Sequence, residues 1–438
     1  MNAIWRRIGA IGLIIFSVWS APLAAAERPG ADAVIHDWYR LVLELVRHTA
    51  TYSPPVASRA FAYLGVIAHE ATASGDPALR SLAGQLNGFS PLASRDPAKT
   101  YDQTVVINAA LAEAVGQLFS NTGPTGQRVL ARMRAKMAAR VADGLDQQVA
   151  ALSEDYGRAV VAHVLDWSKD DGGATVENMG FPVEFALNKG PGNWVPTSLV
   201  NQQQKPLLPK WGDNRPFAMP QGKSCSLPPP PAYSEDKGSV FYTEALEVHD
   251  VVKAITPEQR AIARFWSDDP MLSPTPPGHW ISIALSILDE RKAPAADRAD
   301  LLARLGVTLA DAFVGCWNSK FEYDLLRPIT YIKRVIDPKW EALLITPPFP
   351  EYPSGHSTQS GAAAAVLTAF FGDDVAFVDS THEKDGLPNR SFPNFWAAAE
   401  EAGISRLYGG IHFRAAIERG LDQGRCIGDH AVALVTRN

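Results

Sequence analysis

From Ala31 onward, apolar residues return at spacings of three and four far more often than they alternate, and that pattern admits little besides helices. Val34, Trp38, Leu41, Leu45 and Val46 set it within 31–49. Ser53-Pro54-Pro55 interrupts the run, and Pro55 can open the next helix, to about Ala73. The same spacing predicts helices near 77–88, 101–121, 124–141 and 145–167, joined by short connections carrying Gly, Pro, Asn or Asp. It returns over 242–252, after Thr256-Pro257-Glu258, and over 278–292 and 296–325. A further helix starts at Pro353, and the last two cover 393–408 and 412–435. Nothing reads convincingly as a sheet. The expected fold is all-α, with helical bundles packed into one body.

Residues 170–238 break the pattern. Asp170-Asp171-Gly172-Gly173, Lys189-Gly190-Pro191-Gly192 and Pro228 to Pro231 punctuate an irregular Pro/Gly-rich excursion. Trp194, Trp211 and Phe217 favour an ordered surface excursion or lid over a disordered linker. The chain therefore divides into an N-terminal helical bundle over 27–169, the excursion over 170–238 and a catalytic helical domain over 239–438. Residues 1–26 are set apart. Arg6 and Arg7 precede an apolar run from Ile8 to Trp19, and Pro22-Leu23-Ala24-Ala25-Ala26 follows. That order is expected of a secretory signal peptide, with the mature chain exported to the periplasm or the extracellular space and not stably inserted in a membrane.

The formal charge is −6, and loss of Arg6 and Arg7 would lower it by two, to −8. A mildly acidic surface argues against nucleic-acid binding. The three cysteines, Cys225, Cys316 and Cys426, allow one disulfide and leave one thiol, with the pairing open. Cys316 lies in an apolar helical stretch, which suits a buried, inert thiol. No cysteine spacing resembles a zinc site, and nothing in the sequence sets an oligomeric state.

The chemistry gathers between Lys320 and His412. Lys320 and Arg327 stand seven apart, so on a helix both would point from one face, with Trp317 and Asp324 on the same stripe. Pro328 should end or kink the helix at Arg327. In Pro353-Ser354-Gly355-His356, Ser354 can cap a helix whose free amides and dipole attract an anion, and Gly355 lets backbone approach it. His356 would then stand where it can move a proton. Gly409-Gly410 lets Arg406 end one helix and His412 open the next. Two guanidiniums, an ammonium and two histidines suit a tetrahedral or trigonal-bipyramidal oxyanion.

Lys-x6-Arg-Pro, Pro-Ser-Gly-His and Ser-Arg-x5-His, in that order, resemble the three-part signature of the type 2 phosphatidic acid phosphatase and vanadium haloperoxidase superfamily. The resemblance implies that Lys320, Arg327, Ser354, Gly355 and Arg406 hold the oxyanion. It makes His356 the acid–base residue and His412 the apical histidine, bound to the vanadium of a vanadate cofactor. Trp317 and Phe349 look like the aromatic residues on the halide side of fungal chloroperoxidases, and Asp269 is carried over as the partner of Arg406. The implied reaction is halide oxidation by hydrogen peroxide to a hypohalous acid equivalent. The alternative is hydrolysis of a phosphate ester through a phosphohistidine at His412, since phosphate can occupy the same site.

Overall fold

The computed structural model describes residues 27–174, 184–198, 204–269 and 271–438, so the expected signal peptide lies outside the described residues. The first bundle comprises α1 (Ala31–Arg47), α2 (Pro54–Ala73), α3 (Gln103–Leu118), α4 (Pro124–Ala142) and α5 (Gln147–Ser168). After the excursion come α6 (Val240–Lys253), α7 (Pro257–Phe265), α8 (Thr275–Glu290), α9 (Ala295–Tyr323) and α10 (Pro328–Val335). The chain ends with α11 (Gly355–Phe371), α12 (Phe395–Tyr408) and α13 (Arg414–Val432). Capping follows the local sequence: Thr256 and Gln259 close a capping box on α7, with Pro257 in its first turn.

Helix α9 is the spine. It lies against α2 of the first bundle and against α11 and α13 of the second half. One continuous core therefore runs from Val34 and Phe61 through Leu302 to Phe395. Glycine sets the α2–α9 spacing: a Cβ on Gly65 would come within 2.6 Å of the Leu302 carbonyl, and one on Gly306 within 2.6 Å of the Phe61 carbonyl. The two halves are consequently one packed body, as the periodicity predicts.

Three local expectations change. Residues 77–88 form turns, not a helix. Pro77 opens the segment, and Gly84 and Gly88 adopt positive φ, which breaks helical continuity. Leu82, Leu86 and Phe89 still reach the core, so their spacing recorded burial without recording conformation. The Glu70 carboxylate anchors the turn by accepting from Leu82 N at 2.7 Å and Ser81 Oγ at 2.8 Å. A short antiparallel hairpin, β1 (Phe377–Asp379) with β2 (Arg390–Phe392), was not anticipated. Nor was α10, which starts at Pro328.

The described parts of the excursion are packed on both halves: Phe217 lies against Tyr63 and Trp167 of the first bundle. Trp194 N donates to the Asp324 carbonyl at 2.9 Å, and Leu207 N donates to that of Pro348 at 2.8 Å. The buried Asp311 carboxylate of α9 accepts from the amides of Phe217, Ala218 and Met219. Cys225 is bridged to Cys426 of α13, leaving Cys316 free and buried. No described helix is long and apolar enough to cross a membrane.

Candidate active site

The second half brings all three motifs into one buried cluster. Lys320 projects from the last turn of α9 and is fully buried. Its ammonium donates to the carbonyls of Pro350, Glu351 and Pro353, and it lies 5.1 Å from the Phe349 ring centre. Burial pulls its pKa down to about 7.

Arg327 does not share a helix face with Lys320. Helix α9 ends at Tyr323, where Asp324 adopts a left-handed conformation and turns the chain. Arg327 is the N-cap of α10, and this turn, rather than helical register, returns it to Lys320. Asp324 pairs with Asn188 and Asn193. Arg327 Nε donates to the Phe349 carbonyl at 2.9 Å; its Nη1 donates to the Ile411 carbonyl at 2.9 Å and to His412 Nε2 at 3.1 Å. Its Nη2 is buried without an acceptor.

Ser354 caps α11, its hydroxyl oxygen accepting from Ser357 N at 3.3 Å. The leading amides of that helix have no acceptor within the helix. A Cβ on Gly355 would meet only ordinary contacts of 3.8–3.9 Å with Trp317, Cys316 and Phe313, so protein packing does not require glycine there. Helices α11 and α13 approach so closely that a Cβ on Gly424 would fall 2.1 Å from the Thr358 carbonyl. This contact holds the capped end of α11 beside the entry to α13.

Arg406, in the last turn of α12, donates through Nη1 to the Trp266 carbonyl at 2.6 Å and to His356 Nε2 at 2.8 Å. Its Nε is buried without an acceptor. Both Asp268 and Asp269 act on it electrostatically, and Asp269 is half-buried. Burial and then Arg406 hold the His356 pKa well below its ordinary value. Gly410, at φ +75°, breaks the chain between α12 and α13 and delivers His412.

His412 is buried, and its two nitrogens have distinct partners. Nδ1 meets Glu351 Oε1 at 2.8 Å, while Nε2 faces the Arg327 donor. An arginine can only donate, so Nε2 carries the lone pair and Nδ1 the proton. Burial, then Arg327, Lys320, Arg406 and His356, depress the His412 pKa well below its ordinary value. Glu351 Oε1 also accepts from Phe413 N at 2.8 Å, and burial pushes this carboxyl up to about 8. The motif reading passed over Glu351; its place directly before Tyr352-Pro353-Ser354 was the signal. Trp317 and Phe349 pack together with ring centres 4.9 Å apart, and Trp317 Nε1 donates to the Leu207 carbonyl of the excursion.

The cluster fits an oxyanion. Among the described residues, two guanidiniums are buried with no carboxylate bonded to either, and each keeps an N–H without an acceptor. Leaving such a donor unsatisfied costs about 1–3 kcal/mol or more, a cost that a bound tetrahedral anion would remove.

The family model for the VCPO second helical-bundle domain matches residues 300–438. Vanadium chloroperoxidase of Curvularia inaequalis is 26% identical over 220 residues. That alignment spans 36% of this chain and 36% of the chloroperoxidase. The structure of a bacterial vanadium-dependent iodoperoxidase superposes with a TM-score of 0.84 at 38% identity, covering 93% of this chain and 97% of that one. A holo-type bacterial vanadium-dependent chloroperoxidase shares the fold, with a TM-score of 0.69 at 16% identity over 90% of this chain and 95% of the other.

Proposed function

Because the chain belongs to the vanadium haloperoxidase superfamily, we propose that it is a vanadate-dependent peroxidase that oxidises halide with hydrogen peroxide. The observation that carries this reading is the buried pair of arginines whose bonded partners are carbonyls and histidine nitrogens, each keeping an N–H without an acceptor among the described residues. Lys320, Arg327, Arg406, Ser354 and the Gly355 end of α11 would hold vanadate, and His412 Nε2 would ligate its vanadium. Bound vanadate supplies a Lewis acid that polarises hydrogen peroxide without changing oxidation state.

The chain's own residues then divide the work. Arg327 and Arg406 neutralise the anion. Glu351 holds the proton of His412 on Nδ1 and keeps the Nε2 lone pair directed inward. His356, kept neutral by its surroundings, presents the Nε2 lone pair to Arg406 and would take up a proton at that atom once Arg406 turns its N–H to the anion. Trp317 and Phe349 wall the side where Lys320 sits, and a halide would approach there.

Iodide is the first halide to test, since the 38% identical relative is an iodoperoxidase. Export to the periplasm or extracellular space fits the basic-apolar-small order of residues 1–26, and the Cys225–Cys426 disulfide supports an oxidising compartment. Enzyme reconstituted with orthovanadate is assayed with iodide, bromide and chloride, alongside p-nitrophenyl phosphate hydrolysis by vanadate-free enzyme. Halide oxidation that depends on vanadate supports the proposal. Phosphate ester hydrolysis through an acid-labile, alkali-stable protein phosphate, with no halide turnover, would move the assignment to the phosphatase branch.

A further inference from the structure

One cluster of titratable side chains lies outside the oxyanion pocket and is more deeply buried than any surface ion pair. Asp268 follows α7, His279 sits in the first turns of α8, and His382 follows β1; all three are nearly inaccessible. His279 Nδ1 stands 3.1 and 3.0 Å from the two oxygens of Asp268. His382 Nε2 stands 3.2 Å from Asp268 Oδ1, yet out of line for a hydrogen bond, and has no other partner. The far nitrogen of each ring is held by a second carboxylate: His279 Nε2 by Asp379 at 2.7 Å, His382 Nδ1 by Asp385 at 3.2 Å.

Metal-ligating histidines show this arrangement. A carboxylate takes the distal N–H, which fixes the tautomer and turns the unprotonated nitrogen toward the ion. Ligands about 2.0–2.2 Å from one ion, at angles near 100°, lie about 3.0–3.4 Å apart, and the Asp268 separations approach that range. From these residues we infer a divalent-metal site, with Asp268, His279 Nδ1 and His382 Nε2 as ligands and zinc as the matching ion.

Charge agrees. Asp268, Asp379 and Asp385 hold the two histidines; Arg47 is paired to Asp385, and the neighbouring Arg406 and Asp269 offset each other, leaving two negative charges to be met. A dication with two neutral imidazoles meets them, and so do two imidazoliums, so metal entry would displace two protons without changing net charge. The competing occupant is therefore the proton. Geometry favours the metal: a second proton on His382 Nε2 would lack an aligned acceptor, and two charged rings would sit 4.9 Å apart.

Backbone conformation points the same way. Asp268, Met271 and Thr275 all adopt positive φ, an uncommon concentration of costly geometry that needs a local constraint. The hairpin also gains a purpose, since β1 and the turn after it deliver Asp379, His382 and Asp385. Trp266 stacks on His279 with centroids 4.6 Å apart, and its carbonyl accepts from Arg406. The ion would thus stiffen the floor on which the pocket arginine rests. Among the described residues, the other group with metal-like spacing, around Cys225, Cys426 and His430, has its sulfurs consumed by the disulfide.

The test uses untagged, vanadate-free protein, equilibrated with zinc and dialysed against metal-free buffer. Zinc per chain and the melting temperature are then measured for wild type, His382→Gln and Asp385→Asn. About one zinc should remain on wild type and raise its melting temperature. His382→Gln should lose both effects, and Asp385→Asn should bind about 10–100-fold more weakly through loss of ring orientation. Wild type alone decides if a variant fails to fold: no retained zinc and no thermal shift would overturn the site and leave a proton-held cluster. Equal retention by His382→Gln would also overturn it. Vanadium bound after separate loading is counted independently, so failure here does not touch the oxyanion assignment.

Discussion

Buried arginines are treated oppositely in the two halves of the molecule. In the first bundle, Arg59 of α2 donates through Nε to Asp171 at 2.6 Å and through Nη2 to the Ser168 carbonyl at 2.9 Å, and Tyr63 shares the same carboxylate. In the second half, Arg327 and Arg406 are equally buried, but carbonyls and histidine nitrogens are their bonded partners. The first arrangement is complete within the chain. The second keeps positive charge and N–H donors in reserve, which is costly unless an anion arrives from outside. Burial of an arginine is therefore not itself a mark of function; the missing carboxylate is.

The largest effect is expected at His412. His412→Ala removes the proposed protein ligand to vanadium while the cationic cradle stays, so peroxidase turnover should vanish and vanadate affinity should fall sharply. Steady-state iodide oxidation and bound vanadium measure both. His356→Ala should leave vanadate bound and lower turnover by about 10²–10⁴-fold, as for a general acid–base residue. Equal loss of vanadate affinity in the two variants would erase the distinction between their roles.

The arginines provide the direct contrast. Arg59→Ala leaves Asp171 buried without its bonded guanidinium and should cost about 3–5 kcal/mol of stability in denaturant unfolding. Arg327→Ala should cost the vanadate-free protein much less, while weakening vanadate by about 10–100-fold through lost charge-assisted hydrogen bonds. Similar unfolding losses at both positions would break the comparison. Phosphate should compete with vanadate for the same cradle, read as a rise in apparent vanadate Kd with phosphate concentration.

The smallest effect concerns pH. The folded pKa of His356 lies below its unfolded value, so the unfolded chain binds the proton first as pH falls. Its stabilising contribution is present above about pH 6.5 and is lost as pH drops toward the folded value. The melting temperature of vanadate-free wild type should therefore decline below pH 6.5 more steeply than that of His356→Gln.

Much of this was legible in sequence because the motifs are short and each sits at a helix boundary with strong local signals. Ser354 caps and Gly410 breaks where their chemistry dictates. Lys320 and Arg327 meet in one cluster, but not by the predicted route. Helical register predicted a shared face, whereas a left-handed Asp324 ends the helix, and an αL aspartate leaves little trace in apolar periodicity. Glu351 lies 61 residues from His412, and Asp379 and His382 lie 100 or more from the Asp268–His279 pair, so sequence alone could not bring them together. Arg406 feels Asp268 as well as the expected Asp269, and the turn after α7 sets both neighbours near it.

The most direct test of the central claim is vanadium bound per chain by wild-type protein, measured together with its melting temperature before and after loading. The reserved charge of Arg327 and Arg406 predicts about one vanadium per chain, a raised melting temperature and the appearance of iodide oxidation only in the loaded protein. Protein that retains no vanadium, shows no thermal shift and turns over halide equally well without it would contradict the account.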